Sequence, residues 1–593
     1  MKKNYLILSS IKKLWPKNNN NIIFNSIHDV DNICETEKIY KSFKITKSHW
    51  IRSKKLKSDY LYLNKLYEKH LVLFKNELNN IHNTNFSTEF WRILIGHWLS
   101  EFLHIYFDRW KNINYSLKNR VDKCNFIKTS KEYLISENVE HFLRLYRNAV
   151  WVQILNQEIL KEHLGNNKIN YVKFSEKKIR DNLKNKNEYI NPLLKKSFLT
   201  KIFFFILKIV NSLFSRRSNK FFIYKTYLGT INEFKLSLKL GQFPFFDFKQ
   251  IKIPNSNFNH SVRNNFLKKI KIKDKFEKSF LKMSIKTLPK SFLEDFNFYQ
   301  KHIFSQNLPK NPKIIFSSNA LWYNSLFQFY TALSKEKNLT KLIYAQHGGT
   351  YGISQFSWPE DYEVKTSDKW LSWGWSDKAK NIVPFFTIIK KFKINNKKKT
   401  NLLILLKQRK RLFHSLESSS GIESFDEYIK FQSKFLFSLN DKIKKSTLLR
   451  VGANYLASNI DIYSNLENKF RFYNKDSFEE AANKSKLLVH TINSTTMLEG
   501  LMSNIPSIII LNKKTNPFRK SSEKFMKDLL AAKILHYDPI SAAKFVEKIW
   551  SENNINNWWY SKKTQKILKK FNSRFAKSNT NIVNELKSVL TND

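Results

Sequence analysis

The stretch from Leu487 to Ile510 constrains the fold more than any other part of the chain. Leu487-Leu488-Val489-His490 is an apolar run that ends in Thr491-Ile492-Asn493-Ser494-Thr495-Thr496. The chain then passes through Met497-Leu498-Glu499-Gly500 and returns as Pro506-Ser507-Ile508-Ile509-Ile510. That order predicts a strand, a turn, a helix and a parallel strand. Such a turn sets hydroxyls and free backbone N–H groups at a helix N-terminus, where a phosphate is stabilised. It points to a nucleotide-sugar or a similar activated donor, with Asn493, Ser494, Thr495 and Thr496 as candidate ligands. Glu499 can reach a ribose hydroxyl from the first helical turn. Equally, Thr496 to Glu499 matches a capping box, in which Glu499 only satisfies backbone N–H groups.

A second strand-like run, Leu342-Ile343-Tyr344-Ala345, ends in Gln346-His347-Gly348-Gly349-Thr350-Tyr351-Gly352. The chain has only 11 glycines, and three of them fall between 348 and 352. Glycine is used where backbone turns with positive φ or approaches a ligand closely. His347 stands just past the carboxyl end of its strand, where open α/β sheets place their ligands. There it can act as general base on an acceptor hydroxyl, with Gln346, Gly348 and Gly349 lining the cleft. The competing reading is a histidine that only holds the loop. Leu448-Leu449-Arg450-Val451 reads as a third strand end, and Arg450 suits a diphosphate because its guanidinium fork matches the oxygens. Trp370, Trp373 and Trp375 read as packing residues. Glu360-Asp361 lacks metal-ligand spacing, and no paired-His site stands out, so a metal-independent reaction without a cofactor is expected.

At 593 residues the chain is too long for one core. Its 42% hydrophobic and 15% aromatic content argues against global disorder. Lys+Arg 104 against Asp+Glu 49 leaves a net charge of +55. An anionic membrane surface and nucleic acid are two readings of that charge, and a Lys- and Asn-rich background composition is a third. The charge is spread rather than gathered in a stripe and no nucleic-acid motif is present, so nucleic acid is not an expected partner. Cys34 and Cys124 exclude a disulfide framework and fit a reducing cytoplasm. The run from Tyr5 to Ile11 lacks a cleavage site and reads as a first strand. Residues 198–214 are strongly apolar but are interrupted by Lys201 and Lys208. They read as a buried helix or as an interfacial helix at the inner face of the cytoplasmic membrane.

Phe90 to Leu99, continuing to Phe107-Asp108-Arg109-Trp110, carries apolar positions at helical spacing and predicts a buried helix. The expected architecture is α/β, with two Rossmann-like domains facing a cleft and a helical N-terminal region. Residues 1–190 form the helix-rich N-terminal part of an acceptor domain, and 191–290 a basic insertion. Residues 291–389 are the Rossmann-like acceptor half, 401–550 the donor-binding domain and 551–593 C-terminal helices.

FWRILIGHWL with FDRW, AQHGGTYG, TINSTTMLEGLMSNIPSIII and the WW pair near the end together resemble transferases of O-antigen and surface-polysaccharide gene clusters. These are similar to GT-B glycosyltransferases and to polyol-phosphate transferases. The resemblance implies a GT-B-like enzyme that moves a sugar or related group from a nucleotide-activated donor to a glycan or lipid-linked acceptor. Thr491-Ile492-Asn493 departs from it, standing where an acidic residue is expected. A non-catalytic basic scaffold at a membrane surface and a nucleic-acid-binding protein are the alternatives from other classes.

Overall fold

The computed structural model describes residues 2–592 except 18–19, 27–42, 48, 51–52, 178, 180–182, 184–208, 210–214, 246, 249–250, 252–253, 255, 270, 396–398, 408–424, 452–465 and 467–468. All but one residue of the apolar segment 198–214 therefore lies outside the described residues.

Three parallel sheets organise the chain. The first holds β1 (Asn4–Ile7), β2 (Asn21–Phe24), β3 (Phe43–Ile45), β4 (Lys123–Ile127) and β5 (Ile169–Val172), in the order β3-β2-β1-β4-β5. The second runs β10-β9-β8-β7-β6, from β6 (Phe221–Ile223), β7 (Ile314–Ser317), β8 (Lys341–Ala345), β9 (Lys369–Ser372) and β10 (Ile382–Pro384). The third contains β11 (Asn401–Leu405), β12 (Thr447–Arg450), β13 (Arg471–Phe472), β14 (Ser485–His490), β15 (Ser507–Ile510) and β16 (Leu535–His536), ordered β13-β12-β11-β14-β15-β16. Parallel strands covered on both faces read as continuous apolar runs, and Leu402 to Leu405 and Ser507 to Ile510 are such runs, buried throughout.

Two features differ from the sequence reading. Residues 1–190 are helix-rich, yet they also carry a five-stranded sheet of their own. The stretch 191–290, read as an excursion, supplies edge strand β6 and the helices Thr230–Lys239, His260–Lys268 and Lys275–Thr287. In both cases the strands have only three to five residues, too short for alternation to mark them.

The helix Thr88–Ser116 is buried on nearly every side. Its N-cap Ser87 accepts from the Phe90 N–H, satisfying one of the donors a helix start leaves open. It belongs to an apolar core that runs continuously through the first two sheets. Leu402, Ile404, Leu449, Leu487, Val489 and Ile508 of the third sheet pack in a separate core. At the chain's end the helices Lys562–Phe575 and Ile582–Thr591 return to the second sheet. There the Lys577 N–H donates to Trp373 O and Lys239 Nζ to Asn584 Oδ1. No helix among the described residues is long and apolar enough to cross a membrane.

Candidate functional site

Chain order in the third sheet runs outward from β11 to β12 and β13, then resumes on the other side at β14. The switch point therefore lies between β11 and β14, and crevices outside such points hold ligands in open α/β sheets. Past the carboxyl end of β14 the chain enters the helix Thr495–Met502. Ser494 is its N-cap, with extended backbone, and its Oγ accepts from the Met497 N–H at 3.4 Å and pairs with Thr496 Oγ1 at 2.8 Å. The helix thus begins two residues before the capping box proposed from Thr496, and Glu499 lies in its second turn. Burial, then the nearby Glu479 charge, pushes the Glu499 carboxyl up to about 7.

The loop after β8 is pinned from below. Gln346 is fully buried, and its Oε1 accepts from the Trp373 N–H at 2.9 Å and from Trp375 Nε1 at 2.8 Å. Its Nε2 donates to Gly348 O, while Trp373 Nε1 donates to Gln346 O. Gln346 and the tryptophans shape the loop rather than line its mouth. Gly352 adopts φ +73°, and a Cβ there would meet the Trp375 ring at 2.4 Å.

The two halves of the site touch. The Gly349 N–H donates to Thr495 Oγ1 at 3.1 Å, and a Cβ on Gly349 would lie 2.6 Å from Thr495 N. Asn493 Nδ2 donates to Ser354 Oγ at 3.0 Å. Beside this contact the segment 353–355 pairs with 517–519: the Gln355 N–H donates to Pro517 O and the Arg519 N–H to Ile353 O. Arg519 closes the seam with ion pairs to Glu360 at 2.5 Å and to Asp377 at 2.8 Å, and Glu360 also accepts from the Gly352 N–H. The carboxyl edges of the second and third sheets therefore meet at the glycine loop.

His347 sits on that loop with 14% of its side chain exposed. Trp322 and Tyr351 meet its ring edge-on, and Tyr227 stacks on it. Burial lowers its pKa to about 4, partly opposed by the Ser318 backbone, so the ring is neutral near pH 7. Its Nδ1 lies 3.4 Å from Glu363 Oε1, a separation too long and poorly aligned for a formed hydrogen bond.

Glu363 was not singled out in the sequence. It is fully buried in the helix Trp358–Thr366 and accepts from Trp322 Nε1 at 2.6 Å, Tyr351 Oη at 3.1 Å and Trp370 Nε1 at 3.2 Å. Burial drives its pKa well upward against these three donors. A neutral imidazole can accept a proton from a hydroxyl, and the buried Glu363 carboxyl, 3.4 Å from Nδ1, packs beneath it.

Arg450 ends β12, separated from β14 only by β11, roughly 10 Å away at ordinary strand spacing. Among the described residues its Nη1 is buried without a partner, and burial lowers its pKa while Asp476 opposes the shift. An unpaired buried guanidinium nitrogen is costly, and an anion at the strand ends would relieve that cost. Lys407, also missed in the sequence, follows β11 at 8% exposure with Nζ over the Tyr428 ring. The signal for it was a lysine closing the apolar run Leu402 to Leu406. Tyr428 Oη bonds Thr491 Oγ1, which donates to Leu405 O, so the residues around Thr491 tie β11 to β14. Among the described residues no group of three or more His, Cys, Asp or Glu gathers as a metal site.

The Glu499 shift sets a pH dependence. Its folded pKa lies above its unfolded one, so its contribution is favourable at low pH and is lost as pH rises from about 4.5 to 7. Glu499→Gln is therefore expected to raise stability at pH 8, on the order of 2 kcal/mol, and to change it little at pH 4. Denaturant titrations at the two pH values check this.

No curated protein sequence matches this chain. Among solved structures, a mutant of S. aureus TarM in complex with fondaparinux, α-GlcNAc-glycerol and UDP matches at 11% identity and TM-score 0.31. That match covers 47% of this chain and 55% of TarM, so it spans about half of TarM's length. Anabaena HepE in complex with UDP and glucose matches at 10% identity and TM-score 0.31, over 50% of this chain and 81% of HepE. The glycosyltransferase SnogD from Streptomyces nogalater matches at 10% identity and TM-score 0.29, over 60% of this chain and 89% of SnogD. The profile of the LIC12162 family of transferases matches residues 4–590, and the chain belongs to that family.

Proposed function

We propose that this transferase moves a sugar or related group from a nucleotide-activated donor to a hydroxyl of a surface-glycan acceptor. The observation that carries the reading is the contact between Gly349 and Thr495, which sets a candidate base beside a helix N-terminus at a sheet switch point. The donor diphosphate lies against the N-terminus at Ser494, Thr495 and Thr496, with Asn493 below and Arg450 and Lys407 at the neighbouring strand ends. Glu499 faces the nucleoside. His347 takes the proton of the acceptor hydroxyl as that oxygen attacks the donor carbon. The leaving diphosphate stays at the helix N-terminus, where its charge is stabilised. The +55 charge supports work at the inner, anionic face of a membrane, on a glycan or lipid-linked acceptor.

Thermal melts with UDP, GDP, TDP and CMP test the donor site, because a ligand that binds only the folded chain raises its melting point. At least one nucleotide is expected to stabilise the chain, and none doing so would remove the reading. Ser494→Ala combined with Thr495→Ala should weaken that nucleotide by about 1–2 kcal/mol, since each neutral hydrogen bond contributes ~1 kcal/mol net. Unchanged affinity by calorimetry would move the phosphate elsewhere.

A further inference from the structure

Six non-glycine residues among those described have positive φ. Asn83, Leu339, Asn504 and Lys533 follow helix ends, where the left-handed conformation is the ordinary cap. Lys225 at φ 51° and Tyr227 at φ 63° do not; they lie in the loop between β6 and the helix Thr230–Lys239, followed by Gly229 at φ 79°. For a residue as bulky as tyrosine this conformation is strained and persists only where the surroundings impose it.

The surroundings here do so. Thr226 is fully buried, and its N–H and Oγ1 both donate to Glu233 Oε2, at 3.3 and 2.9 Å. Ser318 holds the same loop from the end of β7, its N–H donating to Lys225 O and its Oγ to Thr226 O. What this scaffold holds in place is one ring. Tyr227 is 51% exposed, and its ring centre lies 5.7 Å from that of His347 at an interplanar angle of 23°. One half-exposed tyrosine therefore stacks on the ring of the base. A core residue would be covered, whereas Tyr227 is held in this backbone with its ring half open to solvent.

We propose that Tyr227 forms the acceptor subsite, an aromatic platform for the apolar C–H face of a pyranose ring whose hydroxyl then meets His347. An aromatic face suits that partner because the axial hydrogens of the sugar carry partial positive charge and the ring face partial negative. The subsite rests on the reading of His347 as the base on an acceptor hydroxyl. It commits the acceptor end to a sugar rather than to a polyol or a bare lipid head.

Saturation-transfer NMR of the full chain with methyl glycosides of glucose, galactose, N-acetylglucosamine and rhamnose tests it. At least one glycoside should bind with saturation concentrated on the hydrogens of one ring face. Tyr227→Ala should weaken it about tenfold and Tyr227→Phe should retain it. Tyr227→Gly should abolish the stacking yet melt no lower than the parent, since glycine adopts this φ without strain. Nucleotide stabilisation should be the same in all three variants. The proposal is overturned if no glycoside binds, if Tyr227→Ala binds as the parent does, or if Tyr227→Gly melts well below it. Failure of the base role would register separately, as a His347→Ala protein that keeps its transfer rate while glycoside binding still depends on Tyr227.

Discussion

His347→Ala is expected to lower the transfer rate roughly 10²- to 10⁴-fold, the usual worth of a positioned general base. Nucleotide-induced stabilisation should survive it, because the proposed donor contacts come from the third sheet. The pH profile supplies a second readout. With a pKa lowered to about 4, His347 is in its base form throughout the neutral range and loses it only as pH falls through that value. The acid limb of the rate should therefore lie near pH 4 rather than near the ordinary histidine value of about 6.5. Glu363→Gln keeps a carbonyl oxygen for Trp322 and Tyr351 but sets an amide NH2 against Trp370 Nε1, so it should melt below the parent and lose rate. Full activity in His347→Ala would end the base assignment.

Gly349→Ala should be strongly destabilising. Its Cβ would lie 2.6 Å from Thr495 N and 2.7 Å from Ser494 C and O, all of them backbone atoms that no rotamer change can move aside. Overpacking of this kind costs about 3 kcal/mol and forces the two sheet edges apart, so stability and nucleotide affinity should fall together. Gly348→Ala is the control one residue away. Its Cβ would meet only the Tyr351 ring at 3.8 Å, an ordinary contact, and the variant should melt close to the parent. Denaturant unfolding of the two proteins, side by side, decides it; equal stabilities would mean that the seam yields.

The parts of this architecture that sequence could deliver are those whose cause is local. Leu487 to His490 and Ser507 to Ile510 are buried parallel strands because their residues are apolar without alternation, whereas the helix cap fell at Ser494, two residues before the Thr496 box that local pattern offered. The glycines after Ala345 marked a loop that something must approach closely. What approaches is Thr495, 146 residues on, and no local pattern names a partner at that distance. Glu363 was invisible for the same reason: a glutamate in a nine-residue helix looks solvated until Trp322, Tyr351 and Trp370 arrive from three other elements. Lys407 lies at the edge of a strand that was read correctly, but its burial comes from Tyr428. Of the first sheet only the strand at its centre, near Tyr5, was legible, because Phe43–Ile45 and its other neighbours are too short to show a period.

The pairing of 353–355 with 517–519, closed by Arg519 on Glu360 and Asp377, has a mechanical consequence. It fastens the carboxyl edges of the second and third sheets beside the loop that carries the base. Any rearrangement that keeps these bonds also keeps Gly349 against Thr495, so the seam acts as a clasp on the reacting geometry.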